Sequence, residues 1–213
     1  APDALGTALR PDTTLVSTTS GNIALSTVTG NNHSLTINTA GTATLGSPVS
    51  GLTILATDAG GTTAINGGAV TTSGSQTYGD DVTLGTSATL TAAGIAFNGN
   101  LAGGANNLTL DSSAAVTQGA SSAISGAGLQ LLGSGSVALS GSGNDFASLA
   151  ANTTAAVTYR NANSLTVGTV GATTGITSTQ LVSLQAGGLL TIGSGAGEDI
   201  SAPTVTLNAA GVT

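Results

Sequence analysis

The chain has 213 residues, of which only two are basic and nine acidic, so its formal net charge is −7 although only 5% of its residues are charged. Because binding to phosphate or to anionic surfaces needs clustered Lys and Arg, this composition argues against nucleic acid, anionic membranes and polyanionic sugars as partners. The absence of Cys excludes disulfide bonds and thiolate metal sites.

The composition predicts an ordered all-β chain. Disordered chains combine low hydrophobicity with high charge, whereas this chain has a mean hydropathy of +0.35. Its Val, Ile and Leu residues alternate with polar residues, and no apolar run is long enough to insert into a membrane.

The elements follow in chain order. Residues 1–12 hold two prolines and no clear alternation, which predicts a terminal cap or linker. From residue 13 onward, short apolar-polar-apolar runs predict strands at 14–16, 23–25, 35–37, 43–45, 52–55, 63–65, 82–84, 88–90, 95–97, 108–110, 114–116, 129–131, 137–139, 157–159, 165–167, 181–184, 189–192 and 205–207. Gly-, Ser- and Asn-containing corners separate them, among them 20–22, 30–32, 40–41, 46–48 and 60–61.

The spacing of these runs predicts a single β-solenoid over residues 13–213. Early runs end at residues 25, 37, 45, 55 and 65, roughly ten residues apart. Two or three runs per turn would give a parallel β-helix with about 20–30 residues per coil. The alternative is two β-sandwich domains in series, which would require longer strands and more core aromatic residues.

One stretch, QTYGDDVTLGTSATLTAAGIAFNGNL at residues 76–101, carries a family resemblance. It resembles the repeats of filamentous haemagglutinin-type adhesins, which are large repetitive bacterial proteins exported by two-partner secretion. The segment from Glu198 to Gly211 is similar to a second phrase of those repeats. The resemblance implies an internal segment of a right-handed parallel β-helical shaft on the surface of a Gram-negative cell.

Enzymatic chemistry has few candidate residues. A β-helical polysaccharide lyase would need a base, for which Arg160 is the candidate, with Asp145 as the nearest carboxylate in sequence. A glycosidase would need two carboxylates on one face. The adjacent pairs Asp80-Asp81 and Glu198-Asp199 should point to opposite faces, so corner positions explain them better.

Metal binding has equally little support. The segments 141–146 (GSGNDF) and 193–199 (GSGAGED) echo calcium-binding β-roll repeats, but such repeats bind calcium because consecutive copies stack. His33 has no partner at metal-ligand spacing. We therefore predict no catalytic residue, no metal site and no cofactor.

The aromatic and threonine residues suggest two binding alternatives. Phe97 and Tyr159 follow the inward register, Phe146 precedes an apolar run, and Tyr78 alone is predicted to be exposed, which makes a sugar-stacking platform poor. Thr residues are predicted in outward positions of many runs, as ice binding would require, but with irregular spacing: 36, 44, 53, 83, 89, 109, 166 and 206.

The sequence thus predicts a non-enzymatic, extracellular shaft segment of a bacterial adhesin, which gives reach and multivalent contact. Its expected partners are other segments of the same shaft or neighbouring copies end to end, and cell-surface or matrix glycans. The alternative is a self-assembling fibre subunit, and weaker alternatives are a β-helical carbohydrate-active enzyme and an ice-binding protein.

Overall fold

A computed structural model describes residues 5–19 and 21–213, and within them all regular structure is β-strand. The first strands are β1 (Leu5–Ala8), β2 (Thr13–Ser17), β3 (Ile23–Thr39), β4 (Thr42–Leu45), β5 (Val49–Thr57), β6 (Thr62–Ile65), β7 (Ala69–Thr72), β8 (Ser75–Tyr78) and β9 (Asp81–Leu84). The middle of the chain holds β10 (Ala88–Ala92), β11 (Gly94–Phe97), β12 (Leu101–Ala102), β13 (Leu108–Ser112), β14 (Val116–Gln118), β15 (Ile124–Gly133), β16 (Val137–Leu139), β17 (Asp145–Thr153) and β18 (Val157–Asn161). The last strands are β19 (Leu165–Val167), β20 (Thr169–Val170), β21 (Thr173–Thr174), β22 (Ile176–Ser178), β23 (Leu181–Ala186), β24 (Leu189–Ile192), β25 (Ile200–Ser201), β26 (Thr204–Asn208) and β27 (Gly211–Val212).

The strands stack as a parallel β-solenoid of about ten turns, as the sequence predicts. Each strand pairs in parallel with its counterpart in the next coil. Paired residues lie between 18 positions apart, as in Leu149 and Val167, and 25 positions apart, as in Val157 and Val182. This spacing falls mostly at the lower end of the predicted 20–30 residues. The two-sandwich alternative is wrong, and the right-handed sense of the coil stays a prediction.

The core consists of ladders of like residues. Because side chains alternate across a strand, every second residue points inward, and parallel pairing places it on its counterpart in the next coil. One such ladder runs through nine aliphatic residues: Val28, Val49, Val70, Leu90, Leu110, Leu131, Ala151, Ile176 and Ile200. Every coil therefore covers the apolar residues of the one before it.

Corners need residues that accept a left-handed backbone. Strand β3 turns a corner at Asn31 and Asn32, whose φ angles are 48° and 62°. Asn tolerates this region better than other residues with a side chain. Gly61, at φ +74°, fills the same role in the corner between β5 and β6.

The division into a cap at 1–12 and a solenoid at 13–213 stays a prediction. Residues 1–4 lie outside the described part, as does Ser20 of the predicted corner 20–22. Strand β1, inside the predicted cap, already pairs in parallel with β3. Parallel pairing thus begins by residue 5.

Replacing a ladder leucine should be costly while replacing an outward threonine should not. The Leu110→Ala variant removes a side chain that is fully buried between Leu90 and Leu131, and should lower the free energy of unfolding by about 2–5 kcal/mol. Thr117→Ala is the matched control because Thr117 is exposed between Ala96 and Ala138, and it should stay within about 0.5 kcal/mol. Urea unfolding measures both, and equal losses would contradict the inward-outward assignment.

Candidate functional site

A binding or catalytic site would need a concave surface or a cluster of ligand side chains. Residues 5–19 and 21–213 contain no detectable pocket, and no three of their His, Asp and Glu side chains are grouped so as to hold a metal ion. Nor does this part of the chain hold a helix long and apolar enough to cross a membrane. The candidates are therefore the individual residues named from the sequence and the outward faces.

The residues considered for lyase chemistry do not form a site. Arg160 lies on β18, whereas Asp145 begins β17, and they make no ion pair within the described residues. The Asp145 carboxylate instead accepts a hydrogen bond of 2.9 Å from Asn163. Asp145 is thus held by Asn163 and is not paired with Arg160.

Asp80 and the pair Glu198-Asp199 lie in corners, as predicted, whereas Asp81 is already the first residue of β9. Asp81 is exposed, and its Oδ1 accepts hydrogen bonds from the backbone and side-chain nitrogens of Asn100. Asp80 points inward and is only 3% exposed. Glu198 accepts a hydrogen bond from the Gly195 amide across its own turn. Asp80 and Asp81 therefore do not present two carboxylates to one surface.

The two segments that echo calcium-binding repeats use their polar groups internally. Asn144 is fully buried, and its Oδ1 accepts hydrogen bonds from the Ile124 amide and from Gln118. Its Nδ2 donates to Gln118 Oε1 at 2.8 Å. This amide pair joins neighbouring coils, so Asn144 acts as a structural bridge.

His33 lies beside the corner formed by Asn31 and Asn32 and faces a carboxylate. Its Nδ1 is 3.7 Å from Asp12 Oδ1. The pKa of the Asp12 carboxyl is lowered, chiefly because it accepts a hydrogen bond from the Ser34 amide. The pair lies at the surface of the first coil and brings no third ligand with it.

The aromatic residues show one wrong prediction. Phe97 and Tyr159 are buried, as expected, and Phe146 is buried too. Tyr78 was predicted to be exposed, but it is fully buried, stacked on Phe97 with ring centroids 5.5 Å apart. Its hydroxyl donates to Gln76 Oε1 at 3.0 Å.

The reason for the error at Tyr78 is that the inward register continues through the corner. Gln76, Tyr78, Asp80, Val82 and Leu84 are all buried and alternate without a break. That period-two pattern was visible in the sequence, but the flanking Gly79 suggested an exposed turn. Burial raises the pKa of the Tyr78 hydroxyl well above its ordinary value. All four aromatic rings are thus core residues and cannot stack on a sugar.

The outward threonines are spread over several strips of the surface. One strip, here called the hydroxyl ladder, contains only Thr, Ala and Ser in ten successive coils: Thr14, Thr36, Ala56, Thr77, Ala96, Thr117, Ala138, Thr158, Ser183 and Thr206. Thr and Ala alternate strictly from residue 36 to residue 158. Thr44 and Thr83 lie on a second strip, where Ala64 separates them. Thr89 and Thr109 are paired on a third strip. No single face gathers the Thr residues in the paired pattern that ice binding would require.

One insertion interrupts the regular surface. Strands β20 and β21 form an antiparallel hairpin, with Gly171 at its tip at φ +60°. Val170 of this hairpin is buried against Gly128 of β15. Gln130 of β15 accepts a hydrogen bond from Thr109 and donates one of 2.7 Å to Thr173. These hydrogen bonds link the hairpin to β15 and, through Gln130, to β13.

The hairpin makes this face the most distinctive part of the surface. Insertions in repeat proteins collect on one face, which is often the binding face. No strand or turn signal in the sequence singled out 169–174, and the gap between the predicted runs that end at Val167 and begin at Leu181 is shorter than the gap from Leu139 to Val157.

The comparisons with known proteins supply no relative. No family model, no curated protein and no solved structure matches the chain.

A larger residue at position 128 should displace the hairpin. A Cβ atom on Gly128 would lie 2.8 Å from a methyl carbon of Val170, so Gly128→Val should weaken docking by about 1–3 kcal/mol, roughly 5- to 150-fold in the undocking equilibrium. Hydrogen exchange of the hairpin amides measures this change. Ala172→Ser, at the exposed tip, is the control and should leave exchange unchanged. Unchanged hairpin exchange in Gly128→Val would contradict the docking contact.

Proposed function

We propose that this chain is a non-enzymatic, extracellular segment of the shaft of a large bacterial surface adhesin of the filamentous haemagglutinin type. The observation that carries the proposal is the continuity of the ladders, since the hydroxyl ladder passes through ten coils without a charged or bulky residue. Backbone hydrogen bonds along the axis and a continuous aliphatic core make such a body long and stiff. At about 4.8 Å per coil, ten rungs span roughly 43 Å.

The surface chemistry supports multivalent contact. The faces offer rows of hydroxyl and methyl groups, with the only two basic residues at Arg10 and Arg160. Each such group binds weakly, but many copies on one shaft or surface raise the overall avidity. The fit to repeat phrases at residues 76–101 supports the same class, a Gram-negative surface protein exported by two-partner secretion.

A second candidate, a self-assembling fibre subunit, has one observation in its favour. Only 5% of the residues are charged, and the hydroxyl ladder presents no charged residue in any of its ten coils. A flank of this kind gives little repulsion against a second copy.

Attachment to a multivalent carrier should decide whether the surface acts by avidity. Beads carrying many copies should be retained on glycan- or matrix-coated plates, while single copies wash away, because linked weak sites gain roughly 10²–10⁴ in avidity. Retention is measured under flow, with beads carrying albumin as the control. Tight, saturable binding of single copies would point to a specific receptor site instead, and loss of bead retention would contradict multivalent contact.

Two further measurements separate the alternatives. Light scattering on dilution should show monomeric short rods, whereas long filaments that grow with concentration would favour the fibre subunit. A polysaccharide panel should show no turnover. Turnover that disappears in Arg160→Ala or Asp145→Asn would contradict the non-enzymatic proposal.

A further inference from the structure

The corner between β5 and β6 contains two hydroxyl groups in core positions. Thr57 and Thr63 flank this corner and both point inward. In the neighbouring coils, Thr57 is paired with Ile37, and Thr63 is paired with Ala43 and Val82. These neighbours are apolar, so the two threonines bring hydroxyl groups into an apolar part of the core, where they need hydrogen-bond partners inside the solenoid.

Asp80, in the next coil, supplies those partners. Thr57 Oγ1 donates to Asp80 Oδ1 at 2.6 Å, and Thr63 Oγ1 lies 3.0 and 2.8 Å from the two carboxylate oxygens. The amide of Gly79 donates to Thr57 Oγ1 at 3.1 Å. The three side chains therefore join both sides of one corner to the coil that follows it.

The charges around Asp80 do not compensate its own charge. Asp58 on the preceding coil is negative, Asp81 follows in sequence, and Tyr78 is neutral. The next coil contributes the corner 98–100, whose residues Asn, Gly and Asn do not titrate. Burial raises the pKa of the Asp80 carboxyl, the hydroxyls of Thr57 and Thr63 oppose this, and the negative charge of Asp58 adds to the increase.

We propose that Asp80, Thr57 and Thr63 form an acid-strengthened clasp, which holds the corner 57–63 to the next coil more firmly when Asp80 is protonated. Protonation removes a buried negative charge that lies near Asp58. The neutral carboxyl keeps its place between the two hydroxyls because it can both donate and accept a hydrogen bond.

The direction of the pH dependence follows from linkage. A carboxyl whose pKa is higher in the folded than in the unfolded chain binds its proton more tightly when folded. Its contribution to stability is largest below the unfolded pKa, which is about 3.9, and declines as the pH rises through the folded pKa. Asp12, whose pKa is lowered, has the opposite dependence, so the clasp has to be measured locally.

Hydrogen exchange on the full chain tests the clasp. Amides of residues 57–63 and 79–82 should open less often as the pH falls, by up to about tenfold per pH unit within the window, after correction for intrinsic exchange. In Asp80→Asn, which keeps the shape but cannot titrate, this local dependence should vanish. A wild-type opening constant that is flat with pH, or one equally dependent in Asp80→Asn, would overturn the proposal.

Direct titration keeps the proposal testable if Asp80→Asn fails to fold. Carboxyl carbon NMR shifts should show Asp80 titrating above the ordinary aspartate pKa of about 3.9. Thr63→Val removes a hydrogen-bond donor and should move the Asp80 midpoint further upward. An Asp80 midpoint at or below the ordinary value would refute the clasp.

Discussion

Parallel, in-register pairing between successive coils is the interaction on which the rest of this structure depends. It places every residue on the corresponding residue of the next coil, so one inward aliphatic position becomes a continuous ladder such as the one from Val28 to Ile200. If the pairing shifted by one residue, the inward side chains of that strand would point outward and the outward ones inward. The ladders therefore stabilise the coils and fix their register at the same time.

Polar residues inside the solenoid are confined largely to corners, where they complete the packing. Asp80, Ser122 and Asn144 each point inward at a corner and hydrogen-bond to groups of another coil. Within the described residues, no buried side-chain nitrogen or oxygen is left without a partner. Because an unsatisfied polar group in a core is costly, these bridges are a condition for the corners to close.

Much of the fold could be predicted from local alternation, because a strand that is half buried shows its register directly. The runs at 82–84, 88–90 and 95–97 became β9, β10 and β11. The burial of Tyr78 was missed because Gly79 suggested a turn open to solvent, although the alternation continued from Gln76 to Leu84. The Thr57–Asp80–Thr63 contacts could not be read in advance, since they join residues about 20 positions apart whose pairing only the exact coil length defines.

No catalytic or ligand-binding site could be predicted beyond single residues, because the candidate side chains do not come together in the fold. Arg160 and Asp145 are carried by different strands, and Asp80 points into the core while Asp81 is exposed. What the outward faces share is low charge and small side chains, which suits a stiff body that makes many weak contacts. The hairpin from Thr169 to Thr174 adds an antiparallel pair of strands to one of these faces.

The central claim is that the chain is one straight, stiff stack of coils, and distances along the hydroxyl ladder test it most directly. The chain has no Cys, so spin labels can be placed at will on Cys introduced at position pairs 36 and 158, and 36 and 206. These pairs are six and eight rungs apart, which predicts narrow distance distributions centred at about 29 and about 38 Å. Broad distributions, or distances that do not grow in proportion to the number of rungs, would contradict the account.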